Sequence, residues 1–244
     1  MTRTFTIARR ELLAAMTSPI TWLTILLAWT LISVIGYFLV LPASGGEVSI
    51  FVFLMASWWL IIQLLIVPIL SMRLLSEEKR TGTLEALMTA PVSDHEVVIG
   101  KFLAVFVVHA IASAIIPLST LPFLVWDKPA DPGQVLAAYL TAAGIGATFL
   151  GAGLFASALT SAQVLAAFVT ILIEAALLFG PAVAPRYLPQ EHVVVQALSR
   201  GDLFQHVQAG AIGVLDLNQV TYQLVMAALF LLFAVRTLEV RKWQ

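Results

Sequence analysis

Cysteine and charge are what this sequence most clearly lacks. None of its 244 residues is cysteine, and only 11% are Asp, Glu, Lys or Arg. Without cysteine the chain has no disulfide framework, no thiolate metal site and no cysteine nucleophile. A soluble domain carries about 25% charged residues, so the shortage of charge argues against a soluble protein. The formal net charge of −1 provides no excess of basic residues for nucleic acid, and we expect no nucleic-acid partner.

In place of charge the chain has long apolar segments. Hydrophobic residues make up 60% of it, and they recur in runs of about 20, the length that crosses the hydrocarbon core of a bilayer as a helix. The sequence therefore predicts an all-α membrane protein with six transmembrane helices, a multi-pass protein of the plasma or inner membrane. The predicted spans are residues 20–41, 50–72, 102–126, 135–158, 164–183 and 221–235.

The orientation of the spans follows from the lysine and arginine residues, which concentrate in short loops on the cytoplasmic side of a membrane. With the N-terminus inside, ten of the 13 basic residues are cytoplasmic and three are outside. The sequence therefore predicts that both termini are cytoplasmic. The inside set is Arg3, Arg9, Arg10, Arg73, Lys79, Arg80, Lys101, Arg236, Arg241 and Lys242, and the outside set is Lys128, Arg186 and Arg200.

Two segments of this single transmembrane domain, residues 1–244, are expected to lie beside the membrane. In residues 1–19 most apolar side chains fall on one helical face, with Arg9 and Arg10 on another side. This pattern favours an interfacial helix whose arginines meet lipid phosphates; a simple extension of the first span is the alternative. Residues 181–220 are less apolar and predict an outer region of re-entrant or short-helix structure, with one short helix near residues 203–212.

The polar loop at residues 73–101 holds nine of the 27 charged residues. Ser93 and Glu96 form a capping-box pattern that predicts the start of the third membrane helix. Pro91 predicts that any preceding helix ends by about Ala90, which leaves residues 82–90 as a short helix. A helix of that length is marginal alone in water and needs a surface to pack on. From the residues alone, a loop that only connects two spans is an equal alternative.

The same loop resembles the signature of ABC-2 type transporter permeases. In that family a run E-[KR]-x-x-G-T-L-E precedes T-x-P-[VI]-S, and a Gly-Lys pair then opens the third span. Residues 78–85, 89–93 and 100–101 match these elements in order and spacing. The six spans, the N-terminal amphipathic helix, the region before the last span and the RTLEVRKW tail match as well, and the gliding-motility type is the most similar subgroup.

The resemblance implies a permease subunit of an ABC transporter, with export as the direction of transport. It implies a separate ATP-binding subunit and a second permease chain in a homodimer or heterodimer. This chain has no G-x-x-x-x-G-K-[ST] phosphate loop, so we expect no cofactor in it, ATP in the partner subunit, and no enzymatic activity of its own. The alternative is a non-transporting membrane subunit of an ATPase-driven motility or assembly complex. The expected contacts with the ATPase subunit are Arg9, Arg10, Glu78, Arg80, Gly82, Thr83, Leu84, Glu85 and Leu87.

Glu174 and His109 are polar residues deep within predicted spans. A charge at that depth is costly, so we expect Glu174 to face other helices or water, or to be protonated, with His109 as its candidate partner. A structural hydrogen bond and a place on a substrate or proton path both stay open. An intramembrane enzyme that uses both residues is a further hypothesis, which no motif supports. Small residues at Ala143, Ala147 and Gly151 predict a helix-packing face, with the lining of a path as the alternative.

Overall fold

The structure, a computed structural model, describes residues 3–82, 93–125, 129–187 and 199–241. Throughout these ranges the regular structure is helical, without a strand. Six helices are long and apolar enough to cross a membrane, which confirms the predicted all-α, multi-pass membrane protein. They are Pro19–Ala43, Val48–Thr81, Asp94–Val125, Pro132–Leu159, Gln163–Pro181 and Leu217–Val240.

The main helices are numbered here in chain order. They are α1 (Arg3–Thr17), α2 (Pro19–Ile35), α3 (Val48–Ser71), α4 (Ser76–Thr81), α5 (Asp94–Ser113), α6 (Pro132–Leu159), α7 (Gln163–Tyr187), α8 (Leu203–Ala211) and α9 (Leu217–Arg241).

Several helices begin where a polar side chain satisfies free backbone amides. The predicted capping box at α5 is present: Ser93 N donates to Glu96 Oε2 at 2.9 Å, and Glu96 N donates to Ser93 Oγ at 3.3 Å. Asp131 accepts from Gly133 N at the start of α6, and Asp202 accepts from Phe204 N at the start of α8. The starts of α5, α6 and α8 are thus encoded locally.

Two predicted boundaries differ from the observed helices. The third span was expected to be one segment to residue 126, but α5 ends at Ser113 and is followed by short helices at Ile115–Leu118 and Pro122–Val125. Prolines in this stretch lack the amide that a continuous helix requires. Conversely, α7 continues past Pro181 to Tyr187, whereas an irregular outer region was predicted from residue 181. The predicted short helix near residues 203–212 corresponds to α8.

Helix α6 lies at the centre of the bundle. Of an apolar 18-residue stretch in α6, 72% is buried, against 28% for the corresponding stretch in α7. Helix α6 packs against α3, α5, α7, α8 and α9. A Cβ atom on Gly151 would lie 3.1 Å from Ala227 O and 3.3 Å from Phe230 Cβ, so the glycine permits close approach of α9. At Gly151 this confirms the packing role that the small residues predicted, whereas Ala147 lines a cavity.

A small apolar cluster marks one end of the bundle. Leu75, beside α4, packs there with Val98 of α5, Leu154 of α6 and Leu238 of α9. Because α1 also packs on the start of α5, both ends of the described chain lie at this end of the bundle, which we call the α1 end.

Helix α1 is a separate helix and not an extension of the first span. It ends at Thr17, and Ser18 has an extended backbone (φ −78°, ψ 123°) before α2 begins at Pro19. A Cβ atom on Gly100 would lie 2.8 Å from Ile7 Cγ2 and 3.2 Å from Thr4 O. Glycine at position 100 therefore allows α1 to lie directly against α5, and the alternative of a continuous first helix is wrong.

Candidate functional site

A buried lysine joins three helices at the α1 end. Lys101 of α5 is 3% exposed, and its Nζ lies 2.7 Å from Glu78 Oε1 of α4 and 3.3 Å from Glu11 Oε2 of α1. A buried ammonium is stable only where nearby charges offset its lost hydration. The two carboxylates do so here, and they belong to helices that are distant in sequence. We call Glu11, Lys101 and Glu78 the ion cluster.

On the α1 side the ion cluster extends to Arg10. Arg10 Nη2 donates to Glu11 Oε1 at 2.9 Å. Burial raises the pKa of the Glu11 carboxyl, but attraction to Lys101 and the hydrogen bond from Arg10 outweigh burial, so the net pKa lies below the ordinary carboxyl range. Glu11 is therefore ionised at neutral pH, as the buried lysine requires.

On its other side α4 is attached to the end of the central helix α6. Ser157 Oγ accepts hydrogen bonds from Leu75 N at 3.0 Å and from Ser76 N at 2.9 Å. Lys79 Nζ donates to Ala158 O, a carbonyl in the last turn of α6, where cations are favourable. The contacts fix α4 to the most buried helix of the bundle.

Helix α4 is therefore held between α5 and α1 on one side and α6 on the other. It ends at Gly82, whose φ of +74° is in the left-handed region that glycine adopts without strain. From there the chain enters residues 83–92, which lie outside the described residues. Helix α4 is thus the rigid base of the loop that the sequence singled out.

The predicted contact residues separate into two groups. Arg9, Arg10, Arg80 and Gly82 are exposed, whereas Glu78 points inward to Lys101. Thr83, Leu84, Glu85 and Leu87, with the predicted helix at residues 82–90, fall outside the described residues apart from Gly82.

Sequence reasoning missed Lys101 and Ser157 as site residues. The Gly100-Lys101 pair was noticed as part of a motif, but nothing local shows that its lysine would be buried between two glutamates. Ser157 has no sequence signal at all, because a serine in an apolar helix most often bonds within its own helix.

The two intramembrane polar residues are not hydrogen-bonded to each other. His109 is fully buried, its Nδ1 lies 3.4 Å from Ser113 Oγ, and its ring stands 6.3 Å from the ring of Trp59. Its Nε2 atom and both carboxylate oxygens of Glu174, which is also 0% exposed, have no hydrogen-bond partner within the described ranges. The expected Glu174–His109 partnership is therefore wrong.

Glu174 instead lies among packed helices. A Cβ atom on Gly153 of α6 would meet both Ser71 of α3 and Thr170 of α7, so these three residues share one level of the bundle. Glu174 is one helical turn, about 6 Å, beyond Thr170 on the same face of α7. Glu174 is fully buried, in a helix that packs against α6 and α3.

Two comparisons with known proteins bear on this site. A sequence model of the family described as ABC-2 family transporter protein matches residues 41–200, which is 160 of the 244 residues. The matched range includes α4, the loop after it, α5 and α6, and therefore Glu78, Lys101 and Ser157. A search of curated proteins finds no match.

Proposed function

Because the chain belongs to the ABC-2 family of transporter proteins, we propose that this permease subunit exports its substrate with energy from an ATPase on a separate chain. A second permease chain, identical or related, completes the membrane part, and ATP binds in the partner subunits. The observation that carries the proposal is the attachment of α4 on two sides, through Lys101 and through Ser157.

The orientation of the permease follows from its basic residues. The α1 end carries Arg9, Arg10, Arg73, Lys79 and Arg80, and the preference of lysine and arginine for cytoplasmic loops supports placing this end in the cytoplasm. The ATPase subunit then meets the exposed arginines of α1 and the loop that follows α4. The proposed contacts are those the resemblance implied, except that Glu78 acts by holding α4 to Lys101.

A movement of the loop would be passed to the spans through α4. Because α4 is hydrogen-bonded to the end of α6, a displacement of α4 moves the helix that packs against five others. The ion cluster moves α1 and the start of α5 with it. Separating α4 from α5 would leave buried charge unpaired, and an unpaired charge of this kind costs about 3–5 kcal/mol, so the ion cluster opposes that separation.

Co-purification tests the proposed function directly. The full chain, tagged at its C-terminus, is extracted gently from its native membrane, and stoichiometric partners are identified by mass spectrometry. We expect an ATP-binding cassette subunit, and we expect Leu84→Pro to release it, since proline would break the short helix that the sequence predicts at residues 82–90. Leu215→Pro, in the connection between α8 and α9 at the opposite end, is the matched control and should keep the partner.

Either of two results would contradict the proposal. The wild-type chain could purify without an ATPase, or the ATPase could remain bound to Leu84→Pro as firmly as to Leu215→Pro. Membrane abundance of each variant is measured in parallel, so that loss of the partner is distinguished from loss of the chain.

A further inference from the structure

A cavity of about 330 Å³ opens at the α1 end between α1, α2, α3 and α5. Its lining is apolar at one end and charged at the other. Apolar side chains form the walls toward the centre of the spans, among them Ile69 and Leu70 of α3 and Val105 and Val108 of α5. Charged side chains lie at the other end, where α3 gives way to α4. The cavity is therefore amphipathic, with its polar end at the membrane boundary.

One cation of this cavity has no counter-ion within the described ranges. Glu11 and Glu78 are engaged by Lys101, and Glu77 lies 3.9 Å from Arg80. Arg73 also lines the cavity. It makes no ion pair with any described residue, and its Nε atom is buried without a hydrogen-bond partner there. Buried donors are almost always satisfied, and a guanidinium is best satisfied by a planar or tetrahedral oxyanion such as a carboxylate or phosphate.

The surroundings of Arg73 select the kind of anion. A soluble phosphate would leave the partly exposed apolar side chains of Ile69 and Leu70 in contact with water. A phospholipid brings both parts: a phosphate at the depth where a span ends, and acyl chains beside it. At about 330 Å³ the cavity is at the lower end of ligand pockets, so it has room for a headgroup and the upper part of one chain.

We propose that this cavity binds a phospholipid of the adjacent leaflet, with its phosphate on the Arg73 guanidinium and an acyl chain along the wall of Leu70 and Val105. Glu11, Glu78 and Lys101 of the ion cluster also line this cavity, but Arg73 is not among the residues proposed to contact the ATPase. The proposal rests on the proposed orientation only for the choice of leaflet, which that orientation makes the cytoplasmic one.

The test uses three probes that divide the lipid into its parts. The purified full chain in detergent is titrated with a phosphatidylglycerol, with a diacylglycerol of the same chains, and with glycerol 3-phosphate, and bound adducts are counted by native mass spectrometry. We expect one phosphatidylglycerol to bind at least tenfold more tightly than diacylglycerol. We expect glycerol 3-phosphate not to displace it at equal concentration.

Arg73→Gln should lower the affinity for phosphatidylglycerol about tenfold and leave diacylglycerol binding unchanged, since it removes only the charge-assisted contact. Arg236→Gln is the matched control: it removes an exposed arginine at the same end of the bundle, and its affinity should equal that of the wild type. Arg73→Lys keeps the charge and should retain most of the affinity.

The proposal is overturned if Arg73→Gln and Arg236→Gln bind phosphatidylglycerol alike, or if diacylglycerol binds the wild type as tightly. Displacement by glycerol 3-phosphate would overturn it in favour of a soluble anion. Should Arg73→Gln fail to fold, the three probes on the wild-type chain still decide between these outcomes. None of the measurements requires the ATPase, so failure here leaves the proposed function standing.

Discussion

Replacing Lys101 by methionine removes the charge that joins α1, α4 and α5 while keeping most of the side-chain volume. The change removes the ammonium group, which lies 3.3 Å from Glu11 Oε2 and 2.7 Å from Glu78 Oε1. The two carboxylates are left without this cation between them. Removing one partner of a buried ion pair costs about 3–5 kcal/mol. Because each glutamate side chain keeps 19% of its surface exposed, we expect the low end of that range, about 3 kcal/mol.

The absence of native cysteine makes the effect measurable at one position. Ala8 of α1 is 8% exposed, so a cysteine introduced there reacts with a maleimide mainly when α1 opens. A loss of about 3 kcal/mol should increase the open fraction, and hence the labelling rate, roughly 100-fold. Arg236→Met is the control, because the exposed pair of Arg236 with Glu239 contributes at most about 1 kcal/mol.

A triple variant tests whether unpaired charge is the cause of the effect. If unpaired charge is the cause, Glu11→Gln and Glu78→Gln added to Lys101→Met should restore slow labelling, since a cluster neutralised as a whole loses little stability. A labelling rate that stays unchanged in Lys101→Met, or one that the triple variant fails to restore, would refute the argument.

Three further predictions concern other parts of the chain. Lowering the pH should release α1, because the pKa of Glu11 is depressed in the folded protein. The ionised Glu11 carboxylate therefore contributes to the stability of the fold above the ordinary carboxyl pKa. That contribution is lost as the pH falls through the depressed value. Labelling at position 8, corrected for the pH dependence of thiol reactivity itself, would show this, and Glu11→Gln should abolish the remaining pH dependence. Gly146→Ala should lower the melting temperature, because the added Cβ would lie 2.0 Å from His109 Cε1. Gly180→Ala is the control: its Cβ would have nothing within 4 Å, so the change should be neutral or stabilising by about 0.5–1 kcal/mol. Equal melting temperatures for the two variants would contradict the packing described. Glu174→Gln should leave abundance and melting temperature unchanged, since neither carboxylate oxygen has a partner within the described residues; a marked loss of either would show that the carboxylate is bonded.

Much of the fold could be predicted because its signals are local. Spans are runs of apolar residues whose length matches the bilayer, and the start of α5 is encoded by Ser93 and Glu96. The failures occurred at prolines, where the local signal is ambiguous. Proline within an apolar run allows either a break or a continued helix, and neighbouring helices decide the outcome: the third span is interrupted, while α7 continues through Pro181.

The candidate site was only partly predictable. The charged loop and the N-terminal helix were recognised, but the pairing of Glu174 with His109 was wrong, because depth in a span does not give the direction in which a side chain points. That direction depends on how each helix is rotated against its neighbours, which apolar sequence specifies weakly.

By itself the sequence determined that the chain is a six-span membrane protein with a polar loop of family-specific pattern, since composition, run length and motif spacing are properties of the chain alone. Only the tertiary structure decided which charges meet. Lys101 reaches glutamates of two other helices, and Ser157 binds amides more than 80 positions away. Such contacts depend on the packing of α1, α4, α5 and α6 as a whole, because burial raises the cost of an unpaired charge and so selects its partner.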